Sequence, residues 1–456
     1  MNNNESLTNG TVVEVGALID DSPWGRYAKL VVALGCVALL VEGLENQVIS
    51  MSIPALMQDW GLERSDFAIV TGAGLLAIAI GTAFGGLLAD RYGRRPALLG
   101  SVLLFGVMTM LSAASTGPAT LSVFRFLAGL GIGGAIPGCL ALVSEFTPQR
   151  NRSMAIALCL ACAPLGALLC SLLTGGILTW FDWRMLYVVQ GIIPMLLVLL
   201  LFFTLPESPK YLARDPHREG ELRTLLRKLG CAVSERTGFC REEAKQRAVS
   251  FRDLLSRDIR AETLRLWSAF LFFQMAGYTL ISWAPTMLAS QGLSATSAAL
   301  SMGGFYVGCI IGGLVSGSLV DRFGSRAPTA SFCAGAIAVA LYLGWLPVIG
   351  ANAGFVMIVV LAAQGFFIAG IANGIYTLAS HVYATSMRST GIGAAATIGR
   401  AGAVASSFVG VIALDLGGAA GYFGLIAAGI VISLLSVLLI HNHVPGKRAF
   451  TQLNEA

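Results

Sequence analysis

Gly86-Leu-Leu-Ala-Asp90-Arg91-Tyr-Gly93-Arg94-Arg95 returns 231 residues later as Gly317-Ser-Leu-Val-Asp321-Arg322-Phe-Gly324-Ser-Arg326. Each copy closes one long apolar run and opens another. A charged, glycine-bearing turn at the same place in two hydrophobic halves predicts a duplicated helical bundle, with both copies on one side of a membrane. The glycines permit a tight turn and close helix approach. Asp90, at a helix end, can pair with an arginine of a neighbouring helix. A pair that forms in one conformation and breaks in another is a latch. The alternative is that these charges only end helices and set topology. Two copies at equivalent positions favour the latch.

Composition agrees with a membrane setting. The 456 residues are 55% hydrophobic and 12% charged, against about 25% charged in soluble domains. That leaves too little charge to cover a water-facing surface. The 54 glycines suit helices packed closely in lipid. The net charge of +5 sits mostly in loops, so it reports orientation rather than nucleic-acid binding. The N-terminal stretch is polar to about Ser22 and lacks a basic segment leading into a short apolar core, so a cleavable signal is not expected.

Runs of about 20 apolar residues predict spans near 28–54, 66–89, 97–115, 119–144, 153–178, 184–205, 263–290, 298–320, 328–348, 354–383, 390–414 and 420–441. One set of connections holds Arg91/Arg94/Arg95, Arg150/Arg152, the 206–262 segment, Arg322/Arg326, Arg388 and Lys447/Arg448; the other set is poor in bases. The excess of arginine and lysine puts the first set, with both termini, in the cytoplasm. The organisation read from this is a tail (1–27), six helices (28–205), a central loop (206–262), six more helices (263–443) and a tail (444–456). The loop carries 13 Lys/Arg and 10 Asp/Glu and a short helix near Arg218–Leu229. It reads as a solvated linker, with regulatory docking as the alternative.

The first span contains Val41-Glu42-Gly43-Leu44-Glu45-Asn46-Gln47. A charge near mid-membrane costs about 2.5–3.5 kcal/mol on insertion scales, so it should face a cavity or a partner. Three residues apart, the two carboxyl groups share a helix face. Burial and mutual repulsion favour the protonated form, which suits proton-coupled transport. The alternative is a polar lining or a structural pair with an arginine. Gly43 leaves room for another helix or a ligand.

Nucleotide, metal and redox signatures are missing. No Gly-x-x-x-x-Gly-Lys-Ser/Thr occurs, which argues against ATP-driven transport. Cys159 and Cys162 have CxxC spacing but lie inside a span without a second pair, so packing explains them better than a cofactor. No clustered nucleophile, base or ligand set suggests an enzyme.

The chain resembles the major facilitator superfamily over nearly its whole length. Besides the repeated turn it has Arg125-Phe-Leu-Ala-Gly129-Leu-Gly131-Ile-Gly133-Gly134, Glu145-Phe-Thr-Pro148-Gln-Arg150-Asn-Arg152, and Pro206-Glu207-Ser208-Pro209-Lys210-Tyr211-Leu212. The resemblance implies an all-α integral membrane fold, twelve transmembrane helices in two pseudo-symmetric six-helix bundles, with the site between them near the midplane. Asp90, Arg91, Arg94, Glu145, Asp321, Arg322 and Arg388 form the candidate gate. The N-terminal latch is expected to be the stronger, because Arg94-Arg95 becomes Ser325-Arg326 in the second copy.

Within the superfamily the sequence is similar to the aromatic acid:proton symporter family. Glu42-Gly43-Leu44-Glu45 stands where that family has Asp-Gly-x-Asp, and Gly133-Gly134-Ala135-Ile136-Pro137, Tyr383 to Gly393 and Gly399-Arg400-Ala-Gly402 also fit. It departs in having glutamates for both aspartates, Gly138 where Asn is common and Ala384 for the usual Pro. The resemblance implies proton-coupled import of a small organic anion, an aromatic carboxylate, by a monomer in the inner membrane. Glu42 and Glu45 are the candidate proton-coupling groups.

An anion in a low-dielectric path needs a cation, and arginine's fork suits a carboxylate. Arg400, ten residues into its span, lies about 15 Å deep. Arg125 is the second candidate, with a structural role beside Glu42, Glu45 or Glu145 as its alternative. Gln274 and Tyr278, at i and i+4, face one way; Asn373 and Tyr376 complete the candidate site. Other monocarboxylates or polar metabolites remain alternative cargo, and a non-transporting sensor an alternative role. The fifth span, Ala163-Pro164-Leu165-Gly166, does not match the Gly-Pro signature of antiporters in this superfamily.

Overall fold

A computed structural model describes residues 12–231, 233, 238–239, 253–257, 259–346, 353–384 and 387–444 of the chain. Much of the central loop, both tail ends and the Lys447/Arg448 pair lie outside the described residues. The spanning helices are labelled in order: α1 (Arg26–Trp60), α2 (Ala68–Tyr92), α3 (Arg94–Ser112), α4 (Pro118–Phe146), α5 (Gln149–Trp180), α6 (Trp183–Thr204), α7 (Arg260–Ser290), α8 (Ala295–Phe323), α9 (Arg326–Trp345) and α10 (Ala353–Val382). The run Arg388–Leu438 breaks at Gly418, φ 56° and ψ −144°, into α11 (388–417) and α12 (419–438), with no loop between the two. The result is the twelve-helix membrane fold of the resemblance.

Several helices outrun their apolar stretches. α1 extends to Trp60, past the predicted end near 54, because backbone hydrogen bonding continues into the aqueous boundary. Glycines stop them: Gly61 closes α1 at φ 65°, and Gly93 and Gly324 turn the chain after α2 and α8 at φ 106° and 82°. Asp182 and Ser294 cap α6 and α8 by accepting from Met185 N and Ser297 N. In the loop, a short helix, Glu219–Lys228, follows a turn of 3-10 helix at Pro216–Arg218.

The packing repeats between halves. In the first, α1 packs on α5, α2 on α4, and α3 on α4 and α6; in the second, α7 packs on α11, α8 on α10, and α9 on α10 and α12. The seam between them is made by α1 with α7, α2 with α11, and α5 with α8. The two Asp-Arg-x-Gly turns lie on one face of the bundle, called here the motif face, since α2 and α8 both run toward it.

Short segments cover the N-terminal half on that face. Val12–Val13 pairs in parallel with Gly238–Phe239. The helix Val15–Asp20 follows, and Asp20 accepts from Gln149 N at 2.8 Å and pairs with Arg152 at 2.9 Å.

Candidate functional site

α1 brings its two acids to the centre of the bundle and sends them to different partners. Glu45 is buried, 1% exposed. Its Oε2 accepts from Thr109 Oγ1 of α3 at 2.6 Å. That hydroxyl in turn accepts from Arg125 Nη2 of α4 at 2.6 Å. A threonine has one hydroxyl proton, so the order is fixed: arginine donates to threonine, threonine donates to glutamate. Arg125 also donates to Ser112 Oγ at 3.2 Å and lies over the Tyr187 ring at 5.3 Å. Tyr187 reaches back to Ser52 of α1 at 2.8 Å. The first half thus holds a buried acid–base pair bridged by one hydroxyl. Glu45 Oε1 and Arg125 Nε have no hydrogen-bond partner there.

Glu42, one turn earlier, is also buried and makes no hydrogen bond among the described residues. It lies within electrostatic reach of Arg400 in the second half. Arg400 donates to Tyr278 Oη at 2.9 Å and is within electrostatic reach of Tyr376. The Gln274 stem packs on Gly399, 2.8 Å from where a Cβ would stand. The Tyr376 ring meets Phe270 edge-on at 4.9 Å. Arg400, Tyr278, Gln274 and Tyr376 therefore converge. Asn373 does not join them: its amide is held by Gly313 O and Ser316 Oγ at 2.9 and 2.8 Å, linking α10 to α8. Gly43 serves helix packing, since a Cβ there would stand 2.1 Å from Ala163 O of α5.

A cavity of about 30 Å³ lies between the halves, lined by Glu45 and Arg125 from one and Tyr278 and Ser282 from the other. That is room for one or two waters and far short of the roughly 150 Å³ that takes up a benzene ring. The halves have closed on the site, and an aromatic ring needs them to part.

At the motif face the first copy of the turn forms a network within its own half. Arg94 pairs with Asp90 across the turn, and with Glu145 of α4 at 3.4 Å. Ser208 donates to Glu145. Glu207 accepts from the backbone amides of Arg94 and Arg95 at 2.9 and 3.1 Å, capping α3 with a carboxylate. A Cβ on Gly93 would stand 2.4 Å from that carboxylate. In the second copy Asp321 is exposed and has no ion pair among the described residues. Arg388 opens α11 and is exposed. Thr109, Ser112, Tyr187 and Glu207 were not assigned a role by sequence reasoning. Two hydroxyls at i and i+3 in an apolar helix carry no signal that separates a relay from ordinary packing. Glu207 was visible as part of a motif, but not its target.

The seam closes on the face away from the motif. Arg64, just before α2, pairs with Asp415 of α11 at 3.2 Å. Phe408 packs on Gly72, Leu300 on Gly175, and Ser171 donates to Ala299 O.

A family model described as Major Facilitator Superfamily matches residues 35–406, and again 266–455. The gallate transporter of Pseudomonas putida is 33% identical over 410 residues, 89% of this chain and 90% of that one. The 4-hydroxybenzoate transporter PcaK of Pseudomonas aeruginosa is 31% identical over 420 residues, 91% and 92%. The 3-(3-hydroxy-phenyl)propionate transporter of Escherichia coli is 30% identical over 426 residues, 92% and 96%. Among solved structures, a D-xylose-proton symporter superposes with a TM-score of 0.71 at 19% identity, covering 92% of this chain and 98% of that one; at that identity the likeness concerns the fold.

Proposed function

We propose, for a chain that belongs to the Major Facilitator Superfamily, that it imports an aromatic carboxylate together with a proton. The observation that carries this is the convergence, on one small cavity between the halves, of the Glu45 carboxyl group, Arg125 and Tyr278, the last of these holding Arg400 by a hydrogen bond. Relatives named for gallate, 4-hydroxybenzoate and a hydroxyphenylpropionate support the class of cargo.

The roles divide as follows. Arg400, positioned by Tyr278, takes the substrate carboxylate with its fork. Tyr278 and Tyr376 offer ring faces and edges to a planar acid. Glu45 is the proton carrier. While Glu45 is charged it balances Arg125 through Thr109. When Glu45 takes a proton, Arg125 loses its counter-charge and the site gains affinity for an anion, so proton and substrate replace the same missing charge. Glu42 plays the corresponding part toward Arg400. Only differential affinity for the two conformations can drive alternation; joint neutralisation of acid and arginine supplies it. The motif face is cytoplasmic, both termini lie on that side, the membrane is the inner one, and the unit is a monomer.

Uptake into proteoliposomes tests this reading. A panel of hydroxylated benzoates and phenylpropanoates should include at least one acid accumulated only with an inward proton gradient. If none is accumulated, the reading fails; ligand binding without accumulation would instead make the protein a sensor. Glu45→Gln should abolish concentrative uptake while leaving exchange. Concentrative uptake at the wild-type level in that variant would remove Glu45 from coupling.

A further inference from the structure

The internal repeat carries a second feature besides the charged turn. A groove of about 670 Å³ runs between α2, α3 and α4 at the motif face. Its walls are Phe84, Leu88 and Tyr92 of α2 and Leu104 of α3; Gly131 and Gly134 of α4 line it too. A groove of about 400 Å³ occupies the matching place between α8, α9 and α10, with Leu319 and Phe323 as its α8 wall. The same offset of 231 that relates the two turns maps Leu88 onto Leu319 and Tyr92 onto Phe323. Both grooves are apolar and open, with Phe84, Leu88, Tyr92 and Phe323 about half exposed. α3 packs on α4 and α6 and leaves its α2 side largely bare, so the first groove opens away from the transport path and toward lipid.

Each groove has a cation at its mouth. Arg91 lies over the Tyr92 ring at 5.4 Å, and Arg322 over the Phe323 ring at 5.3 Å. Both arginines are exposed, and neither has an ion pair among the described residues. Asp90, the acid nearest Arg91, is engaged by Arg94. A hydrocarbon chain gains no hydrophobic energy by leaving bulk lipid for a groove. Any preference must therefore come from the headgroup, and an unpaired guanidinium at a membrane surface selects phosphate.

We propose that the two grooves are binding sites for anionic phospholipid of the leaflet at the motif face, with one acyl chain in the groove and the phosphate on Arg91 or Arg322. The sites are unequal. Ser101 and its glycine neighbours on α4 leave the first groove deep, whereas Phe332 at the matching position, with Phe366 and Phe367, fills the second. The first site holds its lipid longer.

Native mass spectrometry of the purified full chain, supplied with equal phosphatidylglycerol and phosphatidylcholine, tests this without any variant. Up to two phosphatidylglycerol molecules should be retained in preference to phosphatidylcholine. Arg91→Ala and Arg322→Ala should each lower the occupancy of one site about tenfold, and the double variant should lose both. Gly100→Leu, whose added side chain enters open space in the first groove, should empty that site with Arg91 intact. Equal retention of the two lipids by the wild type overturns the proposal. So does unchanged retention in the double variant or in Gly100→Leu, and so does a lipid-free dimer that Gly100→Leu dissociates, which would give the groove to a second copy.

Discussion

Replacing Thr109 with valine keeps the side chain's shape and removes one oxygen from the centre of the site. That oxygen accepts from Arg125 and donates to Glu45, each at 2.6 Å. In the variant Glu45 has no hydrogen-bond partner among the described residues, because its other oxygen is already unpaired. Arg125 keeps Ser112, at 3.2 Å. A buried polar group stripped of its partner costs about 1–3 kcal/mol, and more when charged. Glu45 loses its one partner and Arg125 one of two, and both are charged, so the cost is about 2–4 kcal/mol. At about 1.4 kcal/mol per factor of ten, the lower figure is already about thirtyfold. In the proposed cycle the charged pair exists in one stage, so that cost falls on turnover. Initial rates of gradient-driven uptake, at matched protein per liposome, should drop at least about thirtyfold in Thr109→Val. Thr109→Ser, which keeps the hydroxyl, should stay within about threefold of wild type. If the valine variant transports within that same margin, or if serine is as damaging as valine, the hydroxyl bridge does not couple the two charges.

Gly93 sits at φ 106°, a region that costs other residues about 1–3 kcal/mol, and a Cβ there also displaces the Glu207 carboxylate from α3; Gly324 faces the backbone strain, but the amide after it bonds Val444 O rather than a carboxylate. Thermal melts should therefore show Gly93→Ala losing more stability than Gly324→Ala, and equal losses would deny the cap its role. The Arg64–Asp415 pair joins the halves but is partly exposed, so it is worth about 1 kcal/mol at most. Labelling of a cysteine at Ser290, in the far-face cavity between α1 and α7, should quicken no more than about fivefold in Asp415→Asn. The double reversal Arg64→Asp with Asp415→Arg should restore the slow rate. His443 lies beside Ser325, and burial, then Arg326, hold its pKa below the usual value near 6.5. The docked form binds fewer protons than the free form, so docking is full above about pH 6.5 and weakens as pH falls through the lower folded value. Hydrogen exchange at the Ser325 and Val444 amides, corrected for intrinsic rate, should speed up on acidification and lose that dependence in His443→Gln.

What could be read from the chain alone was whatever a local pattern encodes. The repeated turn announces two halves, because a polar, glycine-bearing break between apolar runs has few other uses. Glu42 and Glu45 announce a buried site, because charge inside a span is costly. Which partner each acid finds is a different kind of fact. Spacing places both on one face of α1, yet Glu45 meets Arg125 through Thr109, while Glu42 looks across the seam to Arg400. Thr109 and Arg125 are 16 residues apart on two different helices, and only their packing brings them together. Glu207 is the same case at longer range: its acid reaches back 113 residues to the amide of Arg94. Asn373, a polar residue in a C-terminal span, ties α10 to α8.

The kinds of contact within and between the halves differ in a way that bears on how the site opens. Inside each half, glycines bring helix backbones into direct touch. A Cβ on Gly166 would stand 1.8 Å from Leu40 O, and one on Gly308 would stand 1.9 Å from Ala362 O. Such pairs cannot slide without large backbone shifts, so each half behaves as a rigid body. Across the seam the neighbours of Gly72, Gly175 and Gly303 are side-chain atoms of Phe408, Leu300 and Ser171. Side chains can change rotamer and release; locked backbones cannot. The charged site is split along the same line, with Glu45, Thr109 and Arg125 fixed in one body and Arg400 with Tyr278 fixed in the other. Glu42 is the acid that looks across. Rocking of one half against the other therefore leaves the bridge to Arg125 intact and alters the separation of Glu42 from Arg400. On the proposed function, the first pair stores the proton and the second registers which way the transporter faces.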